Sequence, residues 1–248
     1  MKSAFIIGTL LLAIIAGAYA LNLENQAGNP AQTQVTLTTS TPLTTSMTTT
    51  ATSTSQTTTV TATSGAGLTQ EEINGLLFMR EEEKLARDVY LKLYEMYGLQ
   101  IFKNIAESEQ RHTDAVLSLI EKYNLTDPAI NEVGVFRNQE LQELYNKLIE
   151  QGSRSLADAL KVGALIEEKD IIDINKLINE TENPDIIRVY TNLVNGSAHH
   201  LVAFVSEYEQ VTGEPYHPQL LSQQQFEQII SSVTNGPGNG HGYKNGSK

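Results

Sequence analysis

The chain has 248 residues, 40% of them hydrophobic, and its 29 acidic side chains against 17 basic ones give a net charge of -12 and a pI near 4.8. So acidic a chain has nothing with which to neutralise phosphates, which excludes nucleic acid as a partner, and its surface would draw in cations instead. The absence of cysteine excludes disulfides, iron–sulfur clusters, thiolate iron sites and cysteine nucleophiles, and the absence of tryptophan removes the usual aromatic platform for sugars or bases.

Met1-Lys2-Ser3 is followed by an apolar run over residues 4–21 that ends in Ala18-Tyr19-Ala20. A short basic start, an apolar middle and an Ala-x-Ala end make residues 1–20 a secretory signal peptide. The run is also just long enough to span a bilayer, so an uncleaved N-terminal anchor is the competing reading. Either way the protein is expected outside the cytoplasm, secreted or held at the cell surface, and touching a membrane only through this segment. Residues 21–67 are dominated by Thr and Ser, with no charge between Glu24 and Glu71. Such a segment buries too little apolar surface to offset the entropy of ordering, so a disordered stalk is expected, of the kind often O-glycosylated.

The folded part opens at Thr69, which with Glu72 forms a capping box. A first helix follows along Ile73, Leu76, Met79, Glu83, Ala86, Tyr90 and Leu93 to Gly98. The second runs from about Ile101 to Tyr123, and Asp127-Pro128 is expected to break it. A long connection with a short helix at Leu141, Leu144 and Leu148 then leads to a third helix capped by Ser155 and Asp158. Asn183-Pro184 launches a fourth, which ends at Gly213. No alternating strand pattern occurs in the folded part. The expected class is all-α: a four-helix domain over residues 68–213 with a long crossover between helices 2 and 3, a helical extension over 214–234 and a flexible Gly/Asn-rich tail over 235–248.

Polar residues fall on the apolar stripe of each long helix. Glu83 lies between Met79 and Ala86; Glu109 and His112 are three apart on the second helix; Glu167 and Asp170 lie on the third; His200 falls one turn before Phe204 on the fourth. A carboxylate inside a core is costly unless paired or bound to metal, and shared dications would neutralise several at once. Carboxylate and imidazole suit iron, manganese or zinc. Of Glu81, Glu82 and Glu83, at least two are expected to be solvated. Glu167 and Glu168 are adjacent and are not expected to face inward together, with Glu167 the inward one. Tyr90 is core by its position, with a hydroxyl able to bond a ligand carboxylate. Asn124, Asn179 and Asn195 begin Asn-x-Ser/Thr sequences, the last inside a packed helix.

Glu83-Lys-Leu-Ala-Arg-Asp-Val-Tyr90 and Glu107-Ser-Glu109-Gln-Arg-His112 resemble the first- and second-helix motifs of the rubrerythrin and bacterioferritin branch of the ferritin-like superfamily. The resemblance covers roughly residues 68–213, and with Ala164-Leu-Ile-Glu-Glu168 the chain also resembles an uncharacterised ferritin-like family, a domain of unknown function. It implies a ferritin-like four-helix bundle holding a dinuclear iron centre, with manganese or zinc as the other candidates. Its ligands would be Glu83, Glu109, His112, Glu167 and His200, the last preferred to His199. The implied chemistry is ferrous oxidation or reduction of peroxide or dioxygen, with a homodimer left open. The chain departs from the pattern at Ser197, where the fourth-helix Glu-x-x-His requires glutamate. Asp170 or Glu168 is the candidate replacement. The alternative function is a non-catalytic metal-binding or surface bundle that kept the scaffold.

Overall fold

Each helix but one begins where a side chain stands ready to cap it. The computed structural model describes residues 67–235, and these form six α-helices with no strand among them. The leader or anchor, the Thr/Ser stalk and the tail beyond Asn235 lie outside the described residues. Helix α1 (Gln70–Tyr97) starts with the reciprocal Thr69–Glu72 capping box, α3 (Gln139–Gly152) with Asn138, and α4 (Leu156–Asn179) with Ser155. Asn183 caps α5 (Pro184–Thr212), which has proline in its first turn, and Ser222 caps α6 (Gln223–Thr234) through a second capping box. Helix α2 (Gln100–Lys122) starts at Leu99 without a side-chain cap.

Two of the helix stops use the left-handed region. Gly98 ends α1 at φ 65° and Gly213 ends α5 at φ 73°, where a Cβ would be penalised. Helix α2 ends within a residue of the expected Tyr123, and a turn ends it before the proline can. The chain turns at Asn124, with φ 53°, before Asp127-Pro128 is reached; asparagine is among the few non-glycine residues that tolerate this region.

Helix α1 lies along α2, and α4 lies along α5. The two pairs meet through α1 against α4 and α2 against α5, while α3 rests on α1 and α4 and α6 on α5. At one end the contact is apolar: Leu76 and Met79 of α1, Val116 and Ile120 of α2, Ile174 of α4 and Leu193 of α5 belong to one buried cluster. Each such side chain contributes about 1.5–3 kcal/mol by leaving water. No helix among the described residues is long and apolar enough to cross a membrane.

Candidate metal centre

Beyond that cluster, the same four helices turn carboxylates and imidazoles toward one another. Glu83 of α1 and Glu109 and His112 of α2 form one group whose ligand atoms lie within 4.8 Å of one another; Glu109, Glu167 of α4 and His200 of α5 form a second. Glu109 belongs to both. Its Oε2 is 2.8 Å from His112 Nδ1 and its Oε1 is 2.6 Å from His200 Nδ1. His112 Nδ1 also lies 3.2 Å from Glu83 Oε2, and His200 Nδ1 lies 3.6 Å from Glu167 Oε2. The two imidazole rings stack with centroids 5.4 Å apart. The three glutamates are wholly buried, and the two imidazoles, each 12% exposed, form the side nearest solvent.

Many of these close approaches are not hydrogen bonds. Both Glu109 oxygens, Glu83 Oε1, Glu167 Oε2 and His200 Nδ1 are buried without a hydrogen-bond partner. Unpaired buried acceptors are costly and therefore rare. Here several converge on shared points, and the donor set of carboxylate oxygen and imidazole nitrogen fits a hard or borderline dication.

The electrostatics are those of a crowded anionic interior. Burial pushes the Glu83 carboxyl up to about 8, against the pull of His112. Burial raises Glu167 as well. It acts on Glu109 in the same direction, but contacts with His112 and His200 outweigh it and hold that carboxyl at about 2. Burial works to lower both histidines, yet Glu109 and Glu83 raise His112 to about 11, and Glu167 and Glu109 raise His200 to about 10. Asp170 belongs to neither group of three. It is buried, neither of its oxygens has a partner, and burial together with Glu82, Glu83, Glu167 and Glu109 drives its carboxyl well above the usual range.

The surroundings orient these groups. The Tyr90 hydroxyl donates to Glu167 Oε1 at 2.6 Å, so this core tyrosine does bond a carboxylate of the cluster. Gly196 is a cradle for His112: a Cβ there would stand 2.5 Å from Nε2 of that ring. Ser197 is fully buried, and its hydroxyl donates to the Leu193 carbonyl of its own helix at 3.2 Å. His199 is exposed, leaving His200 as the inward histidine of the pair.

One expectation about neighbouring acids is corrected, that at least two of Glu81, Glu82 and Glu83 are solvated; of Glu167 and Glu168 it is Glu167 that turns to the centre, as expected. Glu81, Glu82 and Glu83 are all buried, and so are Glu167 and Glu168. Successive helical residues point about 100° apart, so an unbroken buried run means that the helix is covered on nearly every side. Each acid has its own partner. Glu81 accepts the N–H groups of Arg137 at 2.7 Å and Asn138 at 3.2 Å, and Glu82 pairs with Lys169, which also holds Asp173. Glu168 accepts the Tyr216 hydroxyl at 2.7 Å and the backbone N–H groups of Gln219, Leu220 and Leu221, the closest at 2.6 Å. The segment after α5 is thereby fastened to α4. Sequence reasoning missed the Glu82–Lys169–Asp173 chain, for which the i,i+4 spacing of Lys169 and Asp173 was the one available signal.

Known proteins resemble this chain over the same region. A family profile described as "Uncharacterized protein domain (DUF2202)" matches residues 72–233. The uncharacterized protein MJ0754 of Methanocaldococcus jannaschii is 56% identical over 168 residues, covering 67% of this chain and 90% of its own length. The crystal structure of that hypothetical protein, from Methanococcus jannaschii, matches with a TM-score of 0.65 at 57% identity, over 66% of this chain and 94% of the other.

Proposed function

The chain belongs to the DUF2202 family of uncharacterized domains, and from that premise we propose that its four long helices are a ferritin-like bundle holding a dinuclear iron or manganese centre. The observation that carries this reading is Glu109, a buried carboxylate shared by two ligand groups, with one oxygen near each histidine. Glu83 and His112 would complete one metal position, and Glu167 and His200 the other. Asp170, buried with both oxygens unpartnered, would be the candidate carboxylate for the place that Ser197 leaves without one. Zinc suits the same ligands. Iron bound there would supply redox chemistry toward ferrous iron, peroxide or dioxygen.

The chain's own residues set the conditions. Tyr90 fixes one oxygen of Glu167, Gly196 lets α5 approach His112, and the apolar cluster below closes that end to water. Glu83 and the imidazoles must give up protons when a cation enters. With no cysteine for an iron–sulfur relay, electrons would come from ferrous iron itself or from a separate donor. The N-terminal segment would place the domain outside the cytoplasm.

The test is anaerobic loading with Fe(II), removal of excess metal and elemental analysis. Near two ions per chain supports the proposal, and no retained transition metal sinks it. Ser197 favours a second reading, a bundle that binds metal without turning over oxidant. A loaded protein that consumes no peroxide would select it.

A further inference from the structure

Three Asn-x-Ser/Thr sequences lie in the folded part, and the structure separates them. Transfer of a glycan to asparagine needs a surface site where the side-chain amide and the hydroxyl two residues on can be engaged together. Asn195 stands in the middle of α5, and the hydroxyl of its partner Ser197 is fully buried against the Leu193 carbonyl. Asn179 is the last residue of α4. Its partner Thr181 is half-buried, donating to Glu72 Oε1 at 2.5 Å and accepting from the Asn183 N–H at 3.0 Å. Both hydroxyls are already engaged.

Asn124 differs on each count. It lies beyond the last residue of α2, its backbone is left-handed at φ 53°, and its side chain is exposed. Leu125 turns inward onto the apolar cluster, and Thr126 is exposed again. Amide and hydroxyl therefore both project to solvent from non-helical backbone, with the residue between them anchoring the turn.

We propose that Asn124 is an N-glycosylation site of the exported chain. The inference rests on the export proposed for this chain, and not on the metal. The co-reactant is a polyprenyl-phosphate-linked oligosaccharide. The Asn124 amide nitrogen loses one proton to the transferase and forms a C–N bond to the anomeric carbon. The C–O bond to the lipid phosphate breaks, and the phosphate departs with its electron pair.

The purified, folded full-length chain is incubated with a single-subunit archaeal oligosaccharyltransferase and its lipid-linked donor, and the peptides are weighed by mass spectrometry. The expected result is glycan on Asn124, with Asn179 and Asn195 bare. Thr126→Ala should remove the mass shift and Thr126→Ser should retain part of it, both at an exposed position where folding is undisturbed. In urea-unfolded chain the preference among the three sites should disappear. Bare Asn124 in the folded chain, or equal modification of all three, overturns the proposal. Chain recovered from its own host separates the two claims. An exported chain with bare Asn124 defeats the glycosylation site alone, whereas a chain retained in the cytoplasm defeats export and the site with it.

Discussion

The pair α1–α2 and the pair α4–α5 are built alike, yet they bring unequal goods to the centre. Each first helix carries an enclosed charged run, Glu81–Lys84 on α1 and Glu167–Asp170 on α4, with three acids and one lysine in each. Each second helix carries a histidine, His112 or His200. The residue three before it is Glu109 in one pair and Ser197 in the other. The first pair therefore assembles a three-residue group alone, whereas the second is complete only when it borrows Glu109 across the interface. The first group tests how α1 meets α2, and the second tests whether the two pairs stay in register.

The largest expected effect follows from that sharing. Glu109→Ala should abolish retention of both metal ions in anaerobic loading, since it removes a ligand from each group. His112→Ala and His200→Ala should each leave about one ion per chain. The two histidine variants also rank the halves. If the borrowed group is the weaker, His200→Ala keeps the more tightly held ion. Two ions retained by Glu109→Ala would remove the bridge from the scheme.

Next in size is a divergence between metal-free and loaded protein as pH rises. Folded Glu83 is raised from 4.5 to about 8, so between those values the folded chain holds a proton that the unfolded chain has lost. Stability then falls as pH rises. His112, raised from 6.5 to about 11, contributes stability fully present below 6.5 and lost as pH climbs through about 11. Glu109 acts in the opposite sense, its contribution present above 4.5 and lost as pH falls through about 2. A tenfold difference in proton affinity between the folded and unfolded chain is worth about 1.4 kcal/mol. Metal-free protein should thus be most stable in mild acid and lose stability toward pH 8. Loaded protein should gain over that interval, because its ligands bind deprotonated. Thermal melts of both forms across this range decide the matter, and parallel profiles would mean that these protons are not displaced by metal.

What could be read in the chain beforehand follows the range over which each signal acts. The caps at Thr69, Ser155 and Asn183 lie within three residues of what they cap, and the apolar stripes repeat within one helix, so the six helices were legible. So were the stripe positions of Glu83, Glu109, His112 and Glu167, which the structure brings together with His200. The burial of Glu82 and Glu168 was not legible, because their partners are remote in sequence. Lys169 lies 87 residues from Glu82, and the N–H groups that receive Glu168 lie more than 50 residues beyond it. A carboxylate beside an inward one reads as solvated until something is known to cover it. The ordinary solvated reading failed on α1 and α4 because α3, the crossover and the segment after α5 cover the remaining faces.

That covering can be broken in either half. Glu168→Ala would strand a buried hydroxyl and three backbone N–H groups at once, at a cost of about 2–4 kcal/mol in denaturant unfolding. Glu81→Ala strands two N–H groups beside the start of α3 and should cost about 1–2 kcal/mol. Neither side chain reaches the ligand groups, so loading should still end at the wild-type stoichiometry. Equal costs would show that the segment after α5 is no more firmly tied down than the crossover.

The smallest effects separate two adjacent small residues of α5. Gly196→Ala gains about 1 kcal/mol of helix propensity, but its Cβ falls 2.5 Å from His112 Nε2, and overpacking typically costs about 1–3 kcal/mol. The melting temperature of the metal-free protein should stay level or fall by a few degrees, while metal affinity drops because the imidazole is displaced. A glycine kept only for helix approach elsewhere would leave affinity alone. Ser197→Ala removes a hydroxyl that bonds its own helix backbone. That loss of about 1 kcal/mol or less is largely offset by the better propensity of alanine. Stability and stoichiometry should both be unchanged, because the hydroxyl is turned to its own helix backbone and belongs to neither ligand group. If Ser197→Ala instead lost one ion, the hydroxyl would be a ligand, and the two helix pairs would be closer to equal than their sequences suggest.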